Sequence, residues 1–161
     1  MQGAPIDHAI ASVRRLIDSL DPGDRFALVT YASSASTTIA LAPATDAARR
    51  AWSDTLGRIA VGGGTHMASG LDLADAEIAR ARRPGRAARI VLISDGHANE
   101  GDHSREGLMA RTRRAVPGEY VVSTVGVGHG FDESLMTALA DAGTGNFYFV
   151  SRADDLGDVF A

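Results

Sequence analysis

Two residue types are missing from this chain, cysteine and lysine, and each absence excludes a class of chemistry. None of the 161 residues is a cysteine, which excludes disulfides, zinc–thiolate sites and thiol nucleophiles. All sixteen basic residues are arginines, so no lysine is available for a P-loop, a Schiff base or a catalytic amine. The net charge of −4 is mild, and no basic stripe is present, so we expect no nucleic-acid partner.

Long apolar runs and low-complexity tracts are also absent. No apolar stretch is long enough to span a bilayer, and the amino terminus leads directly into an amphipathic helix with no visible signal peptide. The sequence therefore predicts no membrane segment and leaves the compartment open. Because 45% of the residues are hydrophobic, we expect residues 1–161 to form one domain with a substantial core.

Hydrophobic periodicity predicts helices and strands that alternate over most of the chain. The first two strands are joined by a connection too short for a parallel crossover, so we expect an antiparallel edge pair. The later alternation is typical of a doubly wound α/β fold, with a mostly parallel sheet and helices on both faces. Gly143 is predicted to be a left-handed helix cap, and Pro117-Gly118 to end a helix. Helices are predicted at residues 4–20, 46–59, 66–82, 104–116, 132–142 and from Ser151, and strands at residues 25–31, 37–41, 88–94, 119–127 and 146–150.

The pattern lacks the strand that should come first. The first predicted helix leads into the strand at residues 25–31, so a βαβ unit would require a strand before that helix. Only Met1, Gln2 and Gly3 precede it. Loss of a central strand exposes two unpaired edges, which favours aggregation or pairing with partner strands. A strand-borrowing oligomer is therefore one assembly that we expect.

Polar residues in loops expected at the carboxyl edge of the sheet indicate a cation site, because ligands of open α/β sheets gather at that edge. Asp95 directly follows the strand at residues 88–94, and Thr65 closes a run of glycines near a helix N-terminus. Hydroxyl and carboxylate oxygens suit a hard cation such as Mg²⁺. Taken alone, Thr65 could be a helix cap and Asp95 part of a simple turn. The residues expected to shape these loops are Gly62, Gly63, Gly64 and Gly96.

Several short motifs resemble the von Willebrand factor type A family. Residues 92–96 (Leu-Ile-Ser-Asp-Gly) and 98–101 (Ala-Asn-Glu-Gly) resemble the later metal motif of that family, and residues 63–65 (Gly-Gly-Thr) resemble its conserved-threonine loop. Residues 20–26 resemble the helix-to-strand junction of the bacterial, inter-alpha-trypsin-inhibitor-like branch. Their order and spacing are specific, and the resemblance spans nearly the whole chain. The other matching segments are residues 125–128 and 145–148.

The resemblance implies a Rossmann-like domain with a metal-ion-dependent adhesion site (MIDAS) for Mg²⁺ or Mn²⁺. The family's first motif, Asp-x-Ser-Gly-Ser, ends the first strand, and this chain starts just after its expected position. The resemblance leaves Thr65 and Asp95 as metal ligands, the aspartate acting through water, so we expect weak or absent cation binding by this chain. Either Met1 is an internal methionine of a longer protein, or the domain is truncated at this strand. The C-terminal helix is also expected to be clipped.

Three functions follow from these observations. The resemblance implies a non-enzymatic protein-binding module, in which the cation engages an acidic side chain of a partner protein. The loop histidines leave open a metal-dependent hydrolase in which His97 and His103 act with Asp95, although no His-x-His or His-Glu-x-x-His spacing is present. The third interpretation is a structural or degenerate domain that binds no metal.

Overall fold

Helices and strands alternate through residues 4–59, 62–81, 83, 85–128 and 130–150, which are the residues described by the computed structural model. The helix predicted from Ser151 lies outside them. None of the described helices combines the length and apolar character needed to cross a bilayer. The helices are α1 (Ala4–Ser19), α2 (Asp46–Leu56), α3 (Met67–Ala81), α4 (Arg105–Thr112), α5 (Ala115–Gly118) and α6 (Glu133–Ala142). The strands are β1 (Arg25–Tyr31), β2 (Ala35–Pro43), β3 (Arg89–Ser94), β4 (Val121–Val127) and β5 (Thr144–Val150).

The described strands form two sheets. β1 and β2 pair antiparallel, with Arg25 opposite Pro43 and Tyr31 opposite Ala35, which confirms the predicted edge pair. β3, β4 and β5 form a parallel sheet with β4 at its centre. Within the described residues β1 and β3 do not pair with each other, so the sheet is interrupted where the sequence pattern lacks a strand.

Helices cover both faces, as a doubly wound α/β fold requires. On one face, α3, α4 and α6 pack against β3 through a cluster that includes Leu71, Leu92, Leu108 and Leu139. On the other face, α1 and α2 pack against the β1–β2 pair. This packing forms a second hydrophobic cluster, whose buried members are Val13, Ile17, Phe26, Ile39, Ala44, Trp52 and Leu56.

The helix predicted at residues 104–116 is divided, and Pro117 does not end it. α4 stops at Thr112, and Pro117 and Gly118 belong to the separate short helix α5. Pro117 lies in the first turn of α5, where a missing N–H removes no intrahelical hydrogen bond. The chain leaves α5 through Glu119, which adopts a left-handed conformation with φ of 50°. The proline is therefore tolerated inside a helix because that helix begins only at Ala115.

Gly143 is not the left-handed cap that was predicted. Its φ is −93°, and the left-handed residue is Thr144, with φ of 58°. The glycine is required for space instead, because a β-carbon at this position would lie 2.5 Å from Cβ of Val122. The C-terminal end of α6 can therefore pass closely over β4.

Candidate metal site at the carboxyl edge of the strands

Thr65 is held against the loop that follows β3. Its backbone N–H donates to Oδ1 of Asn99 at 2.7 Å, and its carbonyl accepts from the N–H groups of Asn99 and Glu100 at 3.2 and 3.4 Å. These three hydrogen bonds join the glycine loop, residues 62–65, to the loop that begins at Asp95. The two segments that carry the predicted ligands are therefore neighbours, although they are far apart in the sequence.

Ser33, in the turn between β1 and β2, ties the glycine loop down from the other side. Its Oγ accepts a hydrogen bond from the N–H of Gly64 at 3.0 Å and donates to Oε1 of Glu100 at 3.2 Å. Gly63 has a φ of 83°, and a β-carbon there would lie 2.9 Å from Ser33 Oγ. The sequence pattern explains Ser33 as a turn residue only; its position at the carboxyl end of β1 is the one signal that could have singled it out.

Asp95 lies at the meeting point of three segments and is half-buried. Before it, Ser94 Oγ donates to the carbonyl of Gly96 at 3.1 Å and accepts from the Gly96 N–H at 3.4 Å, which shapes the Asp95-Gly96 turn. A β-carbon on Gly130 would lie 3.0 Å from the Asp95 carbonyl oxygen, so the loop after β4 packs directly on this turn. Gly96 itself faces open space, because a β-carbon there would have no neighbour within 4 Å among the described residues.

Tyr31, at the end of β1, links the same edge to the core. Its hydroxyl donates to the carbonyl oxygen of Ile93 at 2.9 Å. Burial, as the largest cause, raises the pKa of Tyr31 to about 12; the hydrogen bond with Ser94 opposes the shift, and the negative charge of Asp95 adds to it. The Asp95 carboxylate is therefore close enough to Tyr31 to affect its ionisation, and the phenol remains protonated at neutral pH.

His97 and His103, the two histidines expected to act with Asp95 in a hydrolase, each lie close to a different group. Nδ1 of His97 lies 4.0 Å from Oδ2 of Asp132, whose side chain also accepts a hydrogen bond from the Leu135 N–H as the N-cap of α6. Nδ1 of His103 lies 2.9 Å from the carbonyl oxygen of Gly101 in its own loop. Within the described ranges, no three His, Asp or Glu side chains are grouped closely enough to hold a metal ion. His97 and His103 therefore have different neighbours, Asp132 and Gly101 respectively.

Asp102 stabilises the start of α4. It accepts hydrogen bonds from Oγ and N–H of Ser104, at 2.7 and 3.2 Å, and from Nη1 of Arg111 at 2.7 Å. The Ser104 hydroxyl, followed by the Arg111 guanidinium, lowers the pKa of Asp102 to about 2. Arg111 also binds Asp72 of α3 at 3.1 Å, so this carboxylate belongs to a network that joins α3 to α4.

Asp102→Asn is expected to make the free energy of unfolding depend less on pH in the acid range. Because the folded-state pKa lies below the ordinary value of 3.8, ionised Asp102 stabilises the native state above about pH 4. That contribution is lost as the pH falls towards 2, and the variant lacks it at every pH. Urea unfolding midpoints between about pH 2 and 6 would show the difference. Asp54→Asn is the control, since Asp54 is an exposed aspartate of α2; parallel profiles for wild type and Asp102→Asn would contradict the expectation.

An interrupted Rossmann-like sheet with a polar loop cluster at its carboxyl edge defines the class of this protein. Residues 1–161 match the family model of the von Willebrand factor type A domain. The chain belongs to that family, as the sequence motifs indicated. Domains of this family are generally non-enzymatic protein-interaction modules that carry a divalent-cation site.

Relatives and solved structures agree with this assignment. The chain is 27% identical over 152 residues to inter-alpha-trypsin inhibitor heavy chain H1 of Mesocricetus auratus, covering 90% of this chain and 16% of that protein. It is 27% identical over 146 residues to the uncharacterized protein YfbK of Escherichia coli, covering 90% of this chain and 25% of that one. The chain therefore spans a quarter or less of the length of these two relatives.

Two solved structures show the same fold. The von Willebrand factor type A structure from Catenulispora acidiphila superposes with a TM-score of 0.84 at 23% identity, covering 96% of this chain and 36% of that one. The structure of proximal thread matrix protein 1 from the mussel byssus, with a zinc-occupied MIDAS motif, superposes with a TM-score of 0.71 at 20% identity. It covers 96% of this chain and 38% of that one.

Proposed function

We propose that this chain is a non-enzymatic protein-binding module whose Thr65–Asp95 edge holds a divalent cation, Mg²⁺ or Mn²⁺. The observation that carries the proposal is the set of three hydrogen bonds between Thr65 and residues 99–100. They join the loop that carries the Thr65 hydroxyl to the loop that begins at Asp95, which follows β3 at the edge where open α/β sheets bind ligands. The zinc at the MIDAS motif of the mussel protein shows that this fold can hold a divalent metal.

The two residues have different roles in this proposal. The Thr65 hydroxyl coordinates the cation directly, while the half-buried Asp95 balances its charge and holds a coordinating water. Mg²⁺ retains several waters in protein sites, so one direct protein ligand and one carboxylate acting through water leave most of its positions to solvent. An acidic side chain of a partner protein can replace one of these waters and complete a metal bridge. With so few protein oxygens, binding of the cation alone is weak.

The cation site can be tested with Mn²⁺, which broadens the NMR signals of nearby nuclei. We expect selective broadening of the backbone amide signals of Thr65, Asp95 and Gly96 at millimolar Mn²⁺, with competition by Mg²⁺. Asp95→Ala is expected to weaken the apparent affinity at least about tenfold, which corresponds to about 1.4 kcal/mol. Asp54→Ala is the matched control, because Asp54 is an exposed aspartate of α2.

Each alternative predicts a different result. Zinc-specific broadening centred on His97 and His103 that survives Asp95→Ala would favour the hydrolase and exclude the proposed site. Identical spectra and identical thermal midpoints with Mg²⁺ and with a chelator would favour a structural domain. A partner with a required acidic side chain is tested separately, by asking whether its binding to this chain is abolished by chelator and by replacing that acid with its amide.

A further inference from the structure

The side chain of Glu100 lies on the loop that carries Thr65. A β-carbon on Gly64 would lie 2.0 Å from Oε1 of Glu100, so the carboxylate rests directly on the Gly64 backbone. Because consecutive Cα atoms are about 3.8 Å apart, this oxygen lies within about 7 Å of the Thr65 Cα. The negative charge of Glu100 is therefore close to the proposed cation site, although the sequence did not single it out as a ligand.

Ser33 and the main chain hold Glu100 in this place. Ser33 Oγ donates to Oε1 of Glu100 at 3.2 Å and accepts from the N–H of Gly64 at 3.0 Å. The N–H of Glu100 donates to the carbonyl of Thr65 at 3.4 Å. The backbone of Glu100 is thus bound to the glycine loop, and its carboxylate is bound to the residue that ties that loop down.

His66 repeats this arrangement in the opposite direction. Gly101, the residue after Glu100, has φ of 62°, and a β-carbon there would lie 1.9 Å from Nε2 of His66. The imidazole therefore rests on Gly101, as the carboxylate of Glu100 rests on Gly64. Each of the two loops places one side chain on a glycine of the other, which limits the freedom of Glu100 to leave the edge.

Glu100 has no arginine partner within the part of the chain that the structure describes. The carboxylates in the described ion pairs are those of Asp72, Asp75, Glu77, Asp102, Glu106 and Asp132. Glu100 is also half-buried, so protein replaces part of the water around it. Opposite charges attract more strongly where less water lies between them, which favours attraction of a cation to this edge.

We propose that Glu100 is a further residue of the cation site, which strengthens cation binding through its charge and without direct coordination, and that Ser33 is its positioning residue. This inference rests on the proposed function, because it assigns a role at the same edge. Coordination is left to Thr65 and Asp95, since the Glu100 carboxylate is engaged by Ser33 and lies on Gly64. The competing interpretation is that Glu100 only packs the two loops together.

Glu100→Gln tests the charge alone, because its amide oxygen can still accept the hydrogen bond from Ser33. The affinity of the whole chain for Mn²⁺ is measured from the broadening of the Thr65 and Asp95 amide signals. We expect the variant to bind about three- to tenfold more weakly at about 0.01 M salt. The difference should fall below about twofold at about 1 M salt, where the Debye length is about 3 Å. Glu106→Gln is the matched control; it makes the same charge change at a side chain that is 88% exposed, and should alter affinity by less than about twofold.

Ser33→Ala tests the position of the carboxylate. We expect weaker Mn²⁺ binding, with a part of the loss that high salt removes. That part should be absent when Ser33→Ala is combined with Glu100→Gln, because the effect of one charge can be lost only once. Ser34→Ala changes an exposed serine of the same turn and should leave Mn²⁺ binding unchanged.

The cation site and the role of Glu100 fail in different ways. Absence of selective broadening in the wild type would refute the cation site, and the role of Glu100 with it. Broadening of the wild-type signals with equal affinity for Glu100→Gln would keep the site and overturn only the role of Glu100. A loss of affinity that is the same at both salt concentrations would also overturn it, because packing of the loops does not depend on ionic screening. Tighter Mn²⁺ binding by Glu100→Gln would overturn it too.

Discussion

Leu108→Ala is expected to lower the free energy of unfolding by about 2–5 kcal/mol, the usual cost of truncating a fully buried leucine. Leu108 lies in α4 with none of its surface exposed, in the cluster where α3, α4 and α6 meet. The alanine variant leaves a cavity among helices that are already held by the β3–β4–β5 sheet, so the site can collapse only partially. Urea unfolding followed by circular dichroism would give the difference directly.

The control for this substitution is Val116→Ala in α5. Val116 is 58% exposed, so truncation should change stability by no more than about 0.5 kcal/mol. Similar losses for the two variants would show that Leu108 does not occupy the packed position described above. A large loss with an unchanged unfolding slope is the expected pattern, because the denatured state should expose the same surface in both proteins.

Gly145→Ala is expected to destabilise the protein by at least about 1–3 kcal/mol, the typical cost of overpacking. A β-carbon at residue 145 would lie 2.2 Å from the carbonyl oxygen and 2.7 Å from the carbonyl carbon of Val122. Those are backbone atoms of the central strand β4, which cannot rotate away as a side chain would. β5 must therefore shift away from β4, and the thermal midpoint should fall.

Gly23→Ala is the matched control for the substitution at Gly145. Its new β-carbon would have its nearest neighbour at 3.9 Å, an ordinary contact with the flexible end of Arg86. Alanine also reduces the conformational entropy of the unfolded chain, so this variant should be neutral or slightly more stable. A fall in thermal midpoint at residue 23 as large as that at residue 145 would contradict the steric explanation.

Much of the fold could be predicted because its signals are local. β1 was predicted at its observed bounds, Arg25–Tyr31, since turn residues flank it on one side and a short connection follows it. α2 begins at Asp46 as predicted, where the Oγ1 of Thr45 accepts from the N–H of Ala48. The errors at Gly143 and Pro117 have a different origin. Whether a glycine adopts a left-handed conformation or makes room for a neighbouring strand depends on tertiary contacts that no local pattern contains.

The candidate site, like the fold, could be predicted from the sequence only in part. Asp95 could be placed at the ligand-binding edge because it directly follows β3. Thr65 lies between α2 and α3 and follows no strand, so its glycine-rich motif, rather than strand geometry, carried its prediction. The hydrogen bonds that hold their loops could not be predicted, since Asn99 reaches Thr65 across 34 residues and Ser33 reaches Glu100 across 67. Nothing in the sequence near Ser33 distinguishes a hydroxyl that joins two distant loops from one that merely completes a turn. The roles of Thr65 and Asp95 as metal ligands remain predictions.

The loop that carries Thr65 is held by two other segments of the chain. Ser33 Oγ accepts from the N–H of Gly64 on one side, and Oδ1 of Asn99 accepts from the N–H of Thr65 on the other. Both contacts fix main-chain groups of the loop. A ligand that binds at this edge would therefore meet a backbone that is already ordered, so the entropic cost of ordering the loop falls on folding rather than on binding.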